Sequence, residues 1–187
     1  MSCLKEGVAH SDVTMAVLCQ EVVPAKYAFV SHTVHPITLD ANQVYVEVVK
    51  GLGETLVGNY PGKALSFQVA KDSNAAKVVG YPSKISQLVA PANSFIFRSD
   101  SNAEDLDGFA GAGLYDSITM DECAETVVDY TDDPLLTDAG YQAKVMAMLA
   151  EASVAVERAM GGKPQDIEGV ITEDDRLVIV QSRPQVL

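Results

Sequence analysis

Asp166-Ile167-Glu168-Gly169-Val170-Ile171-Thr172, then Glu173-Asp174-Asp175, then Leu177-Val178-Ile179-Val180-Gln181 and on to Ser182-Arg183-Pro184, is the stretch that decides the fold. Two apolar, β-branched runs flank a short acidic turn, so Asp166–Thr172 and Leu177–Gln181 are predicted to pair as a β-hairpin. Asp166 and Glu168 stand two residues apart and share one face of their strand, and Gln181 and Arg183 do the same on the neighbour. Pairing the strands gathers two carboxylates, an amide and a guanidinium on one exposed face. Oxygen ligands of this kind suit Mg²⁺, which takes one or two protein carboxylates and fills its shell with phosphate and water. The same pattern also describes a plain solvated hairpin face.

Upstream of the hairpin, apolar residues recur at helical spacing: Tyr141, Val145, Met148, Leu149, Ala152, Val156 and Met160. Asp138 or Thr137 can cap the start of this helix, and Gly161-Gly162 followed by Pro164 stops it. Earlier still come strand candidates at 15–23, 27–33, 44–49, 64–69, 77–81 and 94–97. Gly51-Leu52-Gly53-Glu54 to Gly58 reads as a glycine turn into a short helix or loop. Strands first, then one long helix, then a closing hairpin predicts an α+β domain with mixed or antiparallel sheets.

With 187 residues the chain can bury a real core. Its net charge of −13 argues against nucleic acid, since no basic stripe is available to displace counterions from phosphates. No apolar run approaches the length of a membrane helix. Cys3, Cys19 and Cys123 lack metal-ligand spacing and read as free thiols of a reducing compartment. Residues 1–12 are a polar lead-in without signal-peptide or transit-peptide character. His10, His32 and His35 lie far from the acidic stretch in sequence, and His32 reads as an ordinary strand residue.

Phe95-Ile96-Phe97-Arg98-Ser99-Asp100-Ser101-Asn102-Ala103-Glu104-Asp105-Leu106 carries the second candidate site, with Gly108, Gly111 and Gly113 close behind. A strand delivers Arg98, whose planar guanidinium suits phosphate, into small hydroxyl and carboxylate side chains. Glycines such as Gly111 and Gly113 let backbone N–H groups approach a phosphate closely. From Asp100 to Gln142 there are twelve acidic residues and no lysine or arginine. Most must be solvated, and Asp121 to Glu125 are expected to line a helix start. Glu104 and Asp105 beside a phosphate would repel it unless a cation intervenes, which again points to Mg²⁺. A surface loop after an edge strand has the same composition. Gly62-Lys63 fails as a P-loop, because Val57 stands where the first glycine is required and Ala64 replaces Ser or Thr.

Together these segments resemble the nucleotide-binding domain of the dikinases, the family of pyruvate phosphate dikinase, phosphoenolpyruvate synthase and the glucan water dikinases. The resemblance rests on Arg98–Gly108, on Gly51–Glu54 and on Asp166–Pro184. Gln20–Ala25 with Tyr27–Val30, Gly51–Gly58, Tyr60–Gly62, Tyr81–Lys84 and Phe97–Ser117 are similar to alpha-glucan water dikinases in particular. The arginine-serine motif also follows the GLGE element here, an order shared with that branch and reversed in the pyruvate enzymes. The resemblance implies that residues 13–187 are the C-terminal part of a dikinase ATP-binding domain, ATP-grasp-like and incomplete without its N-terminal portion.

It further implies roles. Arg98 would contact phosphate, Glu168 and Gln181 would hold metal and phosphate, and Asp166 and Arg183 would stand beside them. Gln20–Val23 would be the hinge lining the adenine pocket through its backbone, with Glu104, Gly111 and Gly113 on the nucleotide side. The family reaction moves the β-phosphate of ATP to a histidine on a separate swivelling domain and on to a glucan hydroxyl, while the γ-phosphate goes to water. This chain contains neither that phosphohistidine domain nor a glucan-binding module, so by itself it is expected to be inactive. A chloroplast setting is implied by the family alone. A non-catalytic nucleotide-binding homologue and a pyruvate-type dikinase are the competing readings. Two departures are local: His35-Pro36 replaces Asn-Pro, and Thr38-Leu39-Asp40 replaces a Ser-Gly-Asp turn.

Overall fold

Val44, Val46 and Val48 alternate with Tyr45, Glu47 and Val49, and this period of two sends one set into the main core and the other to the opposite face of the sheet, where Val49 is buried in a smaller apolar patch. The computed structural model describes residues 10–58, 60–102, 105–106, 109–110 and 117–187. Glu104, Gly111, Gly113 and Cys3, named above, lie outside the described residues.

In chain order the elements are a 3-10 turn at His10–Asp12, β1 (Met15–Glu21), β2 (Tyr27–His32), β3 (Gln43–Lys50), α1 (Glu54–Val57), β4 (Leu65–Ala70), β5 (Ala76–Gly80) and β6 (Ser86–Val89). Then come β7 (Phe95–Ser101), β8 (Asp105–Leu106), β9 (Phe109–Ala110), β10 (Ile118–Thr119), β11 (Ala124–Val127), α2 (Pro134–Thr137), α3 (Ala139–Ala159), β12 (Gln165–Ile171) and β13 (Leu177–Pro184). Every strand pairing among the described residues is antiparallel. The α+β class, the long helix and the closing hairpin are as predicted.

The chain forms two compact units. One comprises Val23–Val89 and Ala124–Gln185. Its six-stranded sheet runs β13-β12-β2-β3-β4-β5, and β6 pairs with β11 in a separate ribbon. One face of the large sheet carries α3 and a core of Tyr27, Phe29, Val46, Phe67, Val145, Leu149 and Ile167, all nearly sealed from solvent. Asp138 caps α3 by accepting from the N–H groups of Gly140 and Tyr141 at 2.8 and 3.0 Å. Past Met160, Gly161 and Gly162 take positive φ and donate to the last turn, which stops the helix. The buried stripe includes Met146, Ala150 and Ser153, while Met160 is exposed. This shifts the predicted face by about a residue, because Ser153 is drawn inward to a 2.6 Å hydrogen bond with Ser31.

The other unit comprises Met1–Val22, Ala90–Cys123 and Val186–Leu187. It holds the sheet β1-β7-β10 and the short pair β8–β9. Asn102 ties the lead-in to this sheet: its side chain accepts from Thr14 N–H at 2.9 Å and donates to the Asp12 carbonyl at 2.9 Å. Cys19 and Cys123 are free thiols. No helix among the described residues is long and apolar enough to cross a membrane.

Three predicted elements need correction. The acidic Asp121–Glu125 stretch starts no helix: Ala124–Val127 is a strand, whose β-branched Thr126 and Val127 pair with Gln87 and Ser86. The strand expected at 94–97 runs on to Ser101, because β1 supplies backbone partners along its whole length. The strand expected at 15–23 ends at Glu21, as Val22 N–H turns to the Ser94 carbonyl at 2.9 Å.

Buried Asp133 organises the start of α2. It accepts from the Leu135 N–H at 2.9 Å and the Tyr27 hydroxyl at 2.6 Å, with Lys50 Nζ 2.9 Å from its second oxygen. Burial and the Asp133 carboxylate both push the Tyr27 hydroxyl pKa well up, so it remains a donor. Tyr27→Phe removes a hydrogen bond to a charged group and is expected to lower unfolding stability by about 2 kcal/mol. An unchanged denaturant midpoint would contradict that role.

The two departures from the family pattern have structural counterparts. His35 Nδ1 accepts from the N–H groups of Ile37 and Thr38, each at 3.2 Å, as an asparagine oxygen does in an Asx turn. Leu39 sits at φ 57°, left-handed backbone that is costly for a leucine. Its side chain is exposed, so little packing offsets the strain. Leu39→Gly is therefore expected to raise the melting temperature modestly, by up to about 1 kcal/mol of stability. A lower melting temperature would show that the leucine makes a contact that matters.

Candidate functional site

The hairpin β12–β13 aligns its polar residues in two directly opposed pairs, Asp166 with Arg183 and Glu168 with Gln181. A bulge follows, so that Gly169 pairs with Ile179 and Val180 is the extra residue. The bulge lets Gln181 and Val178, three apart, point to the same side. Val178 joins a small apolar patch of Ala28, Val49, Ala64 and Val170, while Gln181 and Arg183 stay with the acids. All of this lies on the face away from α3.

Arg183 donates from Nε and Nη2 to a single oxygen of Asp166, Oδ2, at 3.0 and 2.8 Å. These side chains keep only 23% and 15% of their exposure, so the pair is shielded rather than solvated. Glu168 and Gln181 are half-buried, where the sequence suggested exposed positions. The sheet flanks them: β2 lies on the far side of β12, placing His32 opposite Asp166 and Val30 opposite Glu168. Beyond it, Tyr45 stands opposite His32 and Glu47 opposite Val30. A cleft of about 480 Å³ opens on β3, β4 and β5, lined by Tyr45, Glu47, Ser66, Tyr60, Lys63 and Lys84 among others. Lys84 is committed there, donating to the Tyr60 and Gly62 carbonyls at 2.7 and 3.3 Å.

The turn that holds the hairpin is anchored to the start of α3. Tyr141 donates its hydroxyl to Asp175 Oδ1 at 2.7 Å, and Lys26 Nζ reaches both groups at 3.0 and 3.2 Å. The Tyr141 hydrogen bond, with Lys26 and Lys144, holds the Asp175 carboxyl below its ordinary range. The acidic turn is thus fixed by cations and a phenol.

Two oxygens at the site test the Mg²⁺ expectation. Gln181 Oε1 and Asp166 Oδ1 are both buried and accept no hydrogen bond. An unsatisfied buried oxygen is uncommon and costly in a folded protein. An amide oxygen on the same face as the paired carboxylate of Glu168 is a donor set that a hard divalent cation takes readily. Among the described residues no three His, Cys, Asp or Glu side chains gather as a metal site. A cation here would draw on Glu168 and Gln181 and leave positions for phosphate and water, which fits Mg²⁺.

The remaining predicted residues divide between the units. Arg98 stands opposite Leu18 and Gln20 opposite Ile96 on the β1–β7 pair, both half-buried, and both belong to the unit of Met1–Val22, Ala90–Cys123 and Val186–Leu187. Val23 belongs to the unit of the hairpin, packed against the Ala28–Val49–Val170 patch. Sequence reading passed over His32, because its place beside Asp166 depends on the pairing of β2 with β12 across more than a hundred residues.

The chain belongs to the family described as the pyruvate phosphate dikinase AMP/ATP-binding domain, whose sequence profile matches residues 3–187. Among its relatives, alpha-glucan water dikinase 1, chloroplastic, of Arabidopsis thaliana is 55% identical over 97% of this chain and 13% of its own length. The chloroplastic alpha-glucan water dikinase of Solanum tuberosum is 52% identical over 97% of this chain and 12% of its own length. A phosphoenolpyruvate synthase of Pyrococcus furiosus is more distant, 26% identical over 96% of this chain and 19% of its own. The chain therefore spans only a small part of the relatives it matches.

Proposed function

We propose that this chain is the ATP- and Mg²⁺-binding portion of an alpha-glucan water dikinase. In the whole protein the β-phosphate of ATP would pass through a phosphohistidine on another domain to a glucan, with the γ-phosphate going to water. The observation that supports this reading is the hairpin face, where Glu168 opposes Gln181 and Asp166 opposes Arg183, with the Gln181 oxygen buried and unbonded. That arrangement stands in a chain of the AMP/ATP-binding family, half identical to plant glucan water dikinases.

In this reading residues 13–187 belong to one ATP-grasp-like domain. Arg183 meets the phosphates, Glu168 and Gln181 hold the metal, and Asp166 sets the guanidinium. The family resemblance assigns Arg98 a phosphate contact and counts Glu104, Gly111 and Gly113 among the nucleotide-binding residues. Gln20 and Val23 frame the adenine. Bound Mg²⁺ would neutralise phosphate charge, while the fixed guanidinium groups favour the charge spreading over a transferred phosphoryl. A chloroplast location follows the names of the relatives.

The small fraction of the relatives' length favours a second, narrower role for the chain in isolation: binding nucleotide without turnover. Isothermal titration tests the common core of both. ATP is expected to bind in Mg²⁺ and to lose most of its affinity when the metal is chelated. Equal affinity with and without Mg²⁺, or no binding at all, would count against the site. Adding the relatives' histidine domain separately and finding phosphohistidine would favour the catalytic role.

A further inference from the structure

His32, Asp166 and Arg183 form one row across β2, β12 and β13, each directly opposite the next. Asp166 spends only one oxygen on Arg183: Oδ2 takes both guanidinium N–H groups. Its other oxygen, Oδ1, is buried and accepts no hydrogen bond, and His32 Nδ1 is buried and equally unbonded. The two orphaned atoms face each other at 3.5 Å, longer than a good N–H···O hydrogen bond. A buried donor and acceptor held just short of bonding leave free energy unused on both sides.

We propose that His32 is a positioning residue that takes up the Asp166 carboxylate when Arg183 turns toward a phosphate. The inference rests on the nucleotide-binding reading given above. A guanidinium that engages a phosphate loosens from Asp166, and a shielded carboxylate cannot simply find water. His32 Nδ1–H supplies the replacement donor, needing a shift of about half an ångström to reach ordinary hydrogen-bond length. The Tyr45 ring lies stacked beside the imidazole, centroids 6.5 Å apart and planes 22° from parallel, which limits its swing. His32 thus lowers the cost of freeing Arg183 without touching the nucleotide.

Two polar replacements test this. The Nδ2 of asparagine matches the place of the imidazole Nδ1, whereas the Nε2 of glutamine matches the far nitrogen. The full chain is titrated with Mg²⁺-ATP as wild type, His32→Asn and His32→Gln, and the melting temperature of each is recorded. His32→Gln is expected to bind about tenfold more weakly, and His32→Asn within about threefold of wild type, at similar melting temperatures. If Asn and Gln variants bind alike, or if both match wild type, His32 does not act through Asp166. A wild-type chain that fails to bind Mg²⁺-ATP sinks the nucleotide-binding reading itself, an outcome separate from either variant result.

Discussion

Arg183→Ala is expected to do two kinds of damage at once. It removes both donors from Asp166 Oδ2 and leaves a carboxylate only 15% exposed without its cation. Breaking a fully buried pair in this way costs about 3–5 kcal/mol, and the partial solvent contact here brings the expectation to about 2 kcal/mol. The same change deletes a forked phosphate donor, so Mg²⁺-ATP affinity should fall by about a hundredfold. Arg183→Lys separates the effects. An ammonium can still pair with Asp166 and should restore most of the stability, but it lacks the planar fork and should leave binding about tenfold weak. Chemical denaturation and titration on the same preparations check both halves. A denaturation midpoint unchanged in Arg183→Ala would contradict the structural part, and full affinity in Arg183→Lys would contradict the forked contact.

Glu168→Ala should have the second large effect, and it should be confined to the metal. Glu168 faces Gln181 across the hairpin and lies two residues from Asp166, so its removal takes a like charge away from the Asp166 carboxylate. The fold is expected to stay intact. Loss of even an outer contact at a metal site commonly weakens binding 10–100-fold, and a direct ligand should reach at least the upper part of that range, about fiftyfold. The signature is a change of kind as well as size: the variant should bind ATP nearly equally with and without Mg²⁺. Gln181→Ala should follow the same pattern more weakly, since an amide is a poorer ligand than a carboxylate. Unchanged Mg²⁺-ATP affinity in both variants would remove them from the site.

Much of this arrangement was legible in the chain because it is local. The hairpin depends on two β-branched runs and an acidic turn, and a period of two places Asp166 with Glu168 and Gln181 with Arg183. The opposed register then follows from a short turn. The capped helix at Ala139–Ala159 was legible for the same reason, with Asp138 before it and two glycines after. What escaped was long-range. The strand at Ala124–Val127 carries charge that suggests a helix start, and only its pairing with Ser86–Val89 makes it extended. His32 looked like any strand residue until β2 was paired with β12. Val180 gave no sign of being the extra residue at a bulge, since it is one of three consecutive β-branched residues, Val178-Ile179-Val180, any of which suits a regular strand. Half-burial of Glu168 and Gln181 also depends on surroundings that the hairpin sequence does not contain. The family profile and the plant relatives agree with the resemblance carried by Arg98–Gly108, Gly51–Glu54 and Asp166–Pro184.

The central claim is that a metal-bound triphosphate sits on the β12–β13 face, and paramagnetic relaxation locates it most directly. With backbone amides assigned, Mn²⁺ is added in place of Mg²⁺ together with ATP. The account predicts selective broadening of the amide signals of Asp166–Glu168 and Gln181–Arg183, absent when Glu168 is alanine. Sharp hairpin signals with broadening centred instead on the acidic stretch around Asp121, Glu122 and Glu125 would contradict it.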